Sequence, residues 1–200
     1  MEESWKKGWI EVVTGPMFAG KSEELIRRIK RLEYAHKKTL VFKPKIDNRY
    51  SENEIVSHSK IKTRSINIET AQDILKYVDH DTEAVVIDEV QFLDHEIVHV
   101  AEDLANRGIR VIVAGLDRDF RGEPFQNMPE LLALAEDVTK LTAICMRCGA
   151  PATRTQRLVN GEPALRHTFY RFCLILALRV KRDFIILIKI EGCNLFRSFF

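Results

Sequence analysis

The sequence predicts an α/β fold, with a P-loop NTPase-like parallel sheet flanked by helices. Segments rich in β-branched and aromatic residues alternate along the chain with segments whose apolar residues recur at helical spacing. Two of the strand-like segments, 84–87 and 110–114, contain uninterrupted apolar runs, as expected for strands buried on both faces of a sheet. The first strand-like segment leads into a glycine-rich stretch of the form G-x-x-x-x-G-K-[ST]. This order of elements favours a parallel sheet with helices on both faces.

The predicted elements alternate from the amino terminus onward. Strands are expected at residues 9–14, 39–42, 84–87 and 110–114, with a last strand within 138–144. Helices are expected from Glu23 onward and near residues 71–78, 97–104 and 131–134. The helix near 97–104 should end at Gly108, because glycine readily adopts the left-handed conformation that closes many helices. The polar segment 51–68 predicts a mobile connection with at most one short strand.

The glycine-rich stretch has the composition of a phosphate-binding loop. It comprises Gly15, Pro16, Met17, Phe18, Ala19, Gly20, Lys21 and Ser22. The two glycines let the backbone curl, so that successive N–H groups and the start of the helix face an anion. Lys21 can reach the β- and γ-phosphates, and the Ser22 hydroxyl can ligate Mg²⁺. An ordinary glycine-rich turn is the alternative, but the strand before it and the helix after it favour binding of a nucleoside triphosphate.

Two acidic residues follow the apolar strand 84–87. Asp88 lies where P-loop enzymes place the carboxylate that holds Mg²⁺ against the phosphates. Glu89 follows it, where a carboxylate can act as a general base towards the attacking hydroxyl. The alternative is a pair of solvated loop acids, which the P-loop upstream makes less favourable.

Composition and charge exclude several classes of protein. Hydrophobic and charged residues make up 46% and 30% of the chain, which is ordinary for a globular protein. Residues 165–200 carry seven basic and two acidic side chains, so residues 1–164 have a net charge of −3 and give no sign of a nucleic-acid-binding surface. The chain has no long uncharged apolar span and no apolar run near its amino terminus. We therefore expect a cytoplasmic protein with no membrane segment.

Five stretches make the sequence resemble the type II thymidine kinases. They are Gly15 to Ser22, Lys43-Pro44 with Asp47 to Tyr50, Asp88 to Phe92, Gly115 to Phe125, and Cys145 to Cys148 with Thr153 to Leu158. They occur in the family's order and cover residues 8 to about 164. Many enzymes share a P-loop, whereas the patterns D-E-x-Q-F and G-L-D-x-x-F-x-x-x-P-F are far more selective.

The resemblance implies phosphorylation of the 5′-hydroxyl of thymidine by ATP with Mg²⁺, in nucleoside salvage for DNA synthesis. It implies that Glu89 takes the hydroxyl proton and that Asp47 and Arg49 lie near the reacting phosphates. ATP would contact Gly15 to Ser22 together with Asp88, Glu89, Val90 and Gln91, and Mg²⁺ would be held by Ser22 and Asp88. Thymidine would contact Met17, Phe92, Leu116, Phe120, Phe125 and Thr155. Spacing alone favours a core position over a pocket position for the aromatic residues among these, and the family resemblance reverses that preference. The family also implies a homotetramer that is inhibited by thymidine triphosphate.

The carboxyl-terminal part departs from the family. Cys145 and Cys148, in the order C-x-x-C-G, predict half of a structural zinc site, but a second pair of ligands is missing. We divide the chain into a P-loop kinase domain (1–142), a partial zinc-ribbon-like segment (143–164) and a divergent apolar and basic tail (165–200). A shifted reading frame is our hypothesis for the tail. A membrane-surface element and an apolar surface that promotes aggregation are the alternatives.

Two other functions fit parts of the sequence. A P-loop protein that binds or hydrolyses nucleotide without phosphorylating a nucleoside needs only the P-loop and the following acids. A zinc-dependent nucleic-acid binder would rest on Cys145 and Cys148 alone. We expect ATP binding to tolerate the altered tail better than thymidine turnover does.

Overall fold

The fold is taken from a computed structural model, which describes residues 8–45, 54–56, 62–119, 122–145, 149–159, 162–163 and 174–178. The strands in chain order are β1 (Trp9–Thr14), β2 (Thr39–Pro44), β3 (Glu54–Val56), β4 (Lys62–Arg64), β5 (Ile66–Ile68), β6 (Ala84–Ile87), β7 (Arg110–Gly115), β8 (Asp137–Lys140), β9 (Ala143–Ile144), β10 (Pro151–Ala152), β11 (Arg154–Val159), β12 (Glu162–Pro163) and β13 (Leu174–Leu178). The α-helices are α1 (Lys21–Tyr34), α2 (Ile97–Asn106) and α3 (Met128–Leu134), and Ala71–Lys76 and Val90–Phe92 form 3₁₀ helices.

Six parallel strands form the central sheet in the order β5-β2-β6-β7-β1-β8. The central strands are buried because helices cover both faces, which explains their uninterrupted apolar runs. Since all six strands run the same way, their carboxyl ends meet at one edge, where ligands bind in open α/β sheets. This architecture confirms the predicted helix-flanked parallel sheet.

The two faces of the sheet have separate apolar cores. On one face, Leu25, Ile26 and Ile29 of α1 pack against Val41 and Val86. The other face packs against α2, α3 and the first 3₁₀ helix through the side chains of Phe42, Ile74, Ile87, Ile97, Leu104, Met128 and Leu131. Side-chain alternation along each strand therefore assigns every buried position of the sheet to one of these two cores.

A buried ion-pair network fixes α1 to the sheet. Glu11 of β1 is 3% exposed, and its carboxylate accepts hydrogen bonds from Arg28 of α1 and from Arg110 of β7, the latter at 2.6 Å. The Trp9 indole N–H donates to the same carboxylate at 2.7 Å, and the Arg110 guanidinium lies over the Trp9 ring. Burial alone would raise the pKa of Glu11. The hydrogen bonds from Arg110 and Trp9, together with the charges of Arg110 and Arg28, outweigh burial and lower this pKa.

The strands from β9 onward, called here the C-terminal strands, form two small antiparallel sheets. Strand β9 pairs with β10, and β11 lies between β12 and β13. The buried side chains described between β9 and β10 are small, namely Ala143, Cys145 and Ala152, with Ala19 of the P-loop packed against them. Strand β13 lies within residues 165–200 and pairs with β11 from Arg154↔Leu178 to Leu158↔Leu174.

Most predicted elements of the sheet are confirmed. Strands β1, β2, β6 and β7 and helices α1, α2 and α3 form at the predicted positions. Helix α2 ends as expected: Gly108 has φ 85°, and the N–H groups of Gly108 and Ile109 donate to the carbonyls of Ala105 and Leu104.

Three predictions were wrong in detail. The segment 51–68 contains β3, β4 and β5 rather than at most one strand, because β5 pairs with β2 at the sheet edge and β3 pairs with β4. The element near 71–78 is a 3₁₀ helix, and the expected strand 138–144 is divided into β8 and β9, which belong to different sheets.

None of the described helices is long and apolar enough to cross a lipid bilayer.

Candidate active site

The P-loop and the acidic pair lie at the same edge of the sheet. Gly15 follows β1 and Asp88 follows β6, and these strands are separated in the sheet by β7. Thr14 joins β1 to β7 at this edge, because its hydroxyl donates to the Gly115 carbonyl at 3.0 Å. The topology thus brings together Gly15 and Asp88, which are more than seventy residues apart in the chain.

The P-loop backbone adopts left-handed conformations at three positions. Gly15 and Gly20 have φ 141° and 86°, and Phe18 has φ 62°. A Cβ at Gly15 would lie 2.4 Å from the Leu141 carbonyl oxygen, so the close approach of the segment after β8 requires glycine there. The Leu141 N–H donates to the Thr14 carbonyl at 2.8 Å, which holds this approach in place. The loop shape thus depends on contacts with β8 as well as on its own glycines.

The cationic and hydroxyl groups of the P-loop occupy the start of α1. Lys21 is the first residue of α1 and is buried, and its ammonium donates to the Pro16 carbonyl at 2.9 Å. Ser22 follows in the first turn and is half-buried. Because helix amino termini favour anions, an ammonium, a hydroxyl and free helix N–H groups together can hold phosphate oxygens.

The acidic pair follows β6 in an unusual backbone conformation. Asp88 is 5% exposed, and its N–H donates to the Phe42 carbonyl of β2 at 3.0 Å. The Asp88 carboxylate accepts the Glu89 N–H at 2.9 Å. Glu89 has φ 52°, a left-handed conformation that is unfavourable for a residue with a side chain. Backbone strain of this kind is concentrated at functional sites.

Two buried amides hold the turn that follows Glu89. The Gln91 amide nitrogen donates to Glu89 Oε2 at 2.5 Å, and its oxygen accepts the Leu116 N–H at 3.1 Å. The Asn127 amide donates to the carbonyls of Val90 at 2.8 Å and Leu93 at 3.3 Å. The family resemblance implied an ATP contact for Gln91. Sequence analysis overlooked Asn127, although an asparagine two residues before a proline is a helix-start signal.

Lys43 is a second buried lysine at this edge. It is 3% exposed and lies next to the end of β2, one residue after the Phe42↔Ile87 pair with β6. The hydrogen bond from Asp88 to Phe42 extends that pairing, so Lys43 and Asp88 are neighbours on adjacent strands. By alternation from Val41 and Val86, both lie on the α1 side of the sheet. Sequence analysis named Lys43 only among the stretches of the family resemblance. Its position directly after the apolar strand 39–42 was the signal that could have placed it at this edge.

The residues expected to contact thymidine are only partly brought together. The Met17 N–H donates to the Thr155 hydroxyl at 2.8 Å, which joins the P-loop to β11. Leu116 is buried beside Gln91, and Phe125 packs partly against the apolar core, with its N–H bonded to the Asp117 carbonyl at 3.1 Å. Phe92 is half-buried at the end of the second 3₁₀ helix. Phe120, Asp47 and Arg49 lie outside the described residues.

The oxygen ligands at the edge fit magnesium. Ser22 lies in the first turn of α1, and Asp88 lies on the α1 side of the sheet. Mg²⁺ prefers hard oxygen ligands together with water and phosphate oxygens. Cys145 lies in a turn closed by hydrogen bonds from its N–H to the Ala150 carbonyl at 2.8 Å and from the Gly149 N–H to the Cys145 carbonyl at 2.9 Å. Cys148 lies outside the described residues, among which no group of three or more His, Cys, Asp or Glu side chains could hold a metal. The described ligands therefore do not make up a zinc site.

The arrangement suits phosphoryl transfer to a hydroxyl. The P-loop, Asp88 and Glu89 lie at one edge of the sheet, which offers N–H groups, a hydroxyl and carboxylates for phosphates, a metal ion and a hydroxyl proton. A comparison with protein families agrees: the model described as thymidine kinase matches residues 8–166. The matched range includes the P-loop, the acidic pair, the segment after β7 and strand β11.

Proposed function

The chain belongs to the thymidine kinase family, and from this premise we propose that it transfers the γ-phosphoryl group of ATP to the 5′-hydroxyl of thymidine. The 5′-oxygen forms a bond with the γ-phosphorus while the bond from that phosphorus to the bridging oxygen of ADP breaks. The hydroxyl proton passes to the Glu89 carboxylate. The products are thymidine monophosphate and ADP.

The position and restraint of Glu89 are the observation that carries this proposal. Glu89 follows β6 at the edge that holds the P-loop, its backbone is fixed in the left-handed region, and its carboxylate accepts a hydrogen bond from buried Gln91. A protein that only binds nucleotide requires no base, since binding needs only the loop and the metal ligand. A restrained carboxylate next to Asp88 is what a hydroxyl acceptor needs.

The other site residues have charge-neutralising and positioning roles in the proposal. Ser22 and Asp88 would hold Mg²⁺, which when bound neutralises phosphate charge during transfer. Lys21 contacts the β- and γ-phosphates, and Arg49 with Asp47 acts near the transferring group. The remaining nucleotide contacts are the N–H groups of the P-loop and of the Asp88–Gln91 turn.

Thymine would lie among apolar and aromatic side chains near the P-loop. Met17 and Thr155 are already in contact, and the other proposed contacts are Phe92, Leu116, Phe120 and Phe125. A flat methylated pyrimidine suits such a surface. Structural zinc on Cys145 and Cys148 and a homotetramer belong to the same proposal through the family resemblance. A cytoplasmic location and a turnover weakened by the tail 165–200 complete it.

The decisive experiment is transfer of label from γ-labelled ATP to nucleosides by the full chain. Thymidine, deoxyuridine and deoxycytidine are compared, with Glu89→Gln as the control variant, and we expect phosphorylation of thymidine above the others. Loss of the base should lower kcat by roughly 10²- to 10⁴-fold while ATP binding is kept. Release of inorganic phosphate without a labelled nucleoside would instead support a P-loop ATPase.

A further inference from the structure

Gln91 uses both ends of its side-chain amide inside the protein. The side chain is 6% exposed, its nitrogen donates to Glu89 Oε2 at 2.5 Å, and its oxygen accepts the Leu116 N–H at 3.1 Å. Glu89 follows β6 and Leu116 follows β7, so one side chain links the ends of two neighbouring strands. Its two hydrogen-bonded groups thus face the protein rather than solvent.

The space for this amide depends on Gly115. A Cβ at position 115 would lie 2.5 Å from the Gln91 amide oxygen, 3.0 Å from Val90 Cγ1 and 3.3 Å from Met128 Sδ. Approaches this short are not tolerated between these atoms without movement, so any larger residue displaces the amide. Gly115 is therefore required at the point where Gln91 reaches the Leu116 N–H.

The backbone of the turn is held separately from the Glu89 carboxylate. Asn127 is fully buried and donates to the carbonyls of Val90 and Leu93, which fixes the turn after Glu89. These bonds determine where the Glu89 side chain begins, but a glutamate has three further torsions before its carboxylate. The hydrogen bond from Gln91 restrains those torsions.

We propose that Gln91 is a positioning residue, which holds the Glu89 carboxylate towards the phosphate-binding edge and ties its orientation to the segment beginning at Leu116. This inference rests on the proposed function, in which Glu89 accepts the hydroxyl proton and Leu116 lies beside the nucleoside. It assigns Gln91 to the base rather than to a direct contact with ATP. A restrained carboxylate favours transfer because a misplacement of about 1 Å can cost roughly 100-fold in rate.

Two substitutions separate the two hydrogen bonds of Gln91. Gln91→Met keeps the length of the side chain and removes both bonds. Gln91→Glu keeps an acceptor for the Leu116 N–H but puts a second carboxylate against Glu89, where like charges repel. If Gln91 only supported the Leu116 segment, Gln91→Glu would behave like the wild type.

Steady-state kinetics with thymidine and ATP provide the first measurement. We expect kcat to fall roughly 10- to 100-fold in both variants, more in Gln91→Glu, with the KM values for thymidine and ATP within about threefold of wild type. Gln72→Met, a change of an exposed glutamine in the first 3₁₀ helix, is the matched control and should leave kcat unchanged. Wild-type kcat in Gln91→Glu, or a loss confined to KM, would overturn the proposal.

A second measurement does not depend on turnover. With ¹⁵N-labelled glutamine side chains, the Gln91 amide should exchange its protons with water more slowly than the Gln72 amide, and its resonance should move in Glu89→Leu. Exchange as fast as that of Gln72, or no movement in Glu89→Leu, would contradict the restraint. If the wild type failed to phosphorylate thymidine while the Gln91 amide showed both signatures, the proposed function would fail and the restraint of Glu89 would stand.

Discussion

The central sheet and the C-terminal strands are held together by different means. The sheet and the helices that cover it bury large apolar side chains, among them Phe42, Ile87, Leu104 and Ile112, each less than 2% exposed. The described core between β9 and β10 consists of Ala143, Cys145 and Ala152. Since apolar burial contributes about 25 cal/mol per Å², these small side chains contribute far less than the core of the sheet.

The difference indicates that the C-terminal strands depend on contacts with the phosphate-binding edge. Thr155 of β11 accepts the Met17 N–H at 2.8 Å, and Ala19 packs on the small core. Arg154 lies so close to Gly122 that a Cβ there would be 2.7 Å from its guanidinium nitrogen. These strands should therefore open locally at a lower free energy than the sheet unfolds, which the following substitutions examine in order of expected size.

The largest effect on stability should come from Phe42→Ala. Phe42 is fully buried in β2 and meets the Tyr77 ring edge-on at 5.9 Å, so its removal leaves a cavity in the sheet core. We expect a loss of about 3–5 kcal/mol in the free energy of unfolding, measured by urea denaturation. Ile144→Ala, at a residue of β9 that is 64% exposed, is the control and should cost under about 0.5 kcal/mol. Equal losses would mean that the two regions do not differ in this way.

The next effect should come from Glu11→Ala in the buried ion-pair network. Removal of the carboxylate leaves the guanidinium groups of Arg28 and Arg110 without their shared buried partner, which should cost roughly 3 kcal/mol. Glu11→Gln, which keeps the volume and a hydrogen-bond acceptor, should cost less. Thermal unfolding at neutral pH measures both variants, and a smaller loss in Glu11→Ala than in Glu11→Gln would argue against the network.

A smaller and local effect is expected for Thr155→Val. The variant keeps the shape of the side chain but removes the acceptor of the Met17 N–H, a hydrogen bond that contributes about 1 kcal/mol. We expect faster limited proteolysis within 149–159 and a KM for thymidine raised by roughly fivefold, with little change in global unfolding. Thr155→Ser retains the hydroxyl and should restore both properties. A lowered temperature of global unfolding with unchanged proteolysis would place this residue with the sheet.

The smallest effect concerns the exposed side of α1 in acid. Hydrogen bonds from Arg27 are the main cause that lowers the pKa of Glu24 from its ordinary value of 4.5 to about 2. Burial raises this pKa, and the hydrogen bond from Arg28 lowers it further. A lowered pKa stabilises the fold above pH 4.5, and this contribution disappears as the pH falls towards about 2. Glu24→Gln should flatten the pH dependence of the unfolding free energy in this window by under about 1 kcal/mol, because the pair is partly solvated. Glu33→Gln, at an exposed residue of the same helix, should leave the curve unchanged.

The sequence was most informative where apolar runs are long or motifs are local. The strands 84–87 and 110–114 could be predicted because strands buried on both faces are apolar whatever their neighbours are. The P-loop and the acids after β6 could be located because their chemistry requires fixed positions after strands. The divergent tail gave no signal for β13, since its strand depends on pairing with β11.

The support around Glu89 could not be read from the sequence. The partner of the Gln91 oxygen is the Leu116 N–H, 25 residues away, and the room for it comes from a missing side chain at Gly115. Asn127 reaches Val90 across 37 residues. Such contacts arise only when the ends of β6 and β7 are brought side by side, so no local pattern specifies them.

Under the proposed function, the left-handed backbone of Glu89 lowers stability at the residue that serves as the base. A side chain in the left-handed region costs about 1–2 kcal/mol relative to glycine, so Glu89→Gly would relieve strain in the folded chain. Laboratory evolution that selects for heat resistance alone should therefore favour this substitution. The selected proteins should have a higher free energy of unfolding and should no longer phosphorylate nucleoside. Variants selected in that way should be sequenced at position 89 before their inactivity is blamed on lost flexibility.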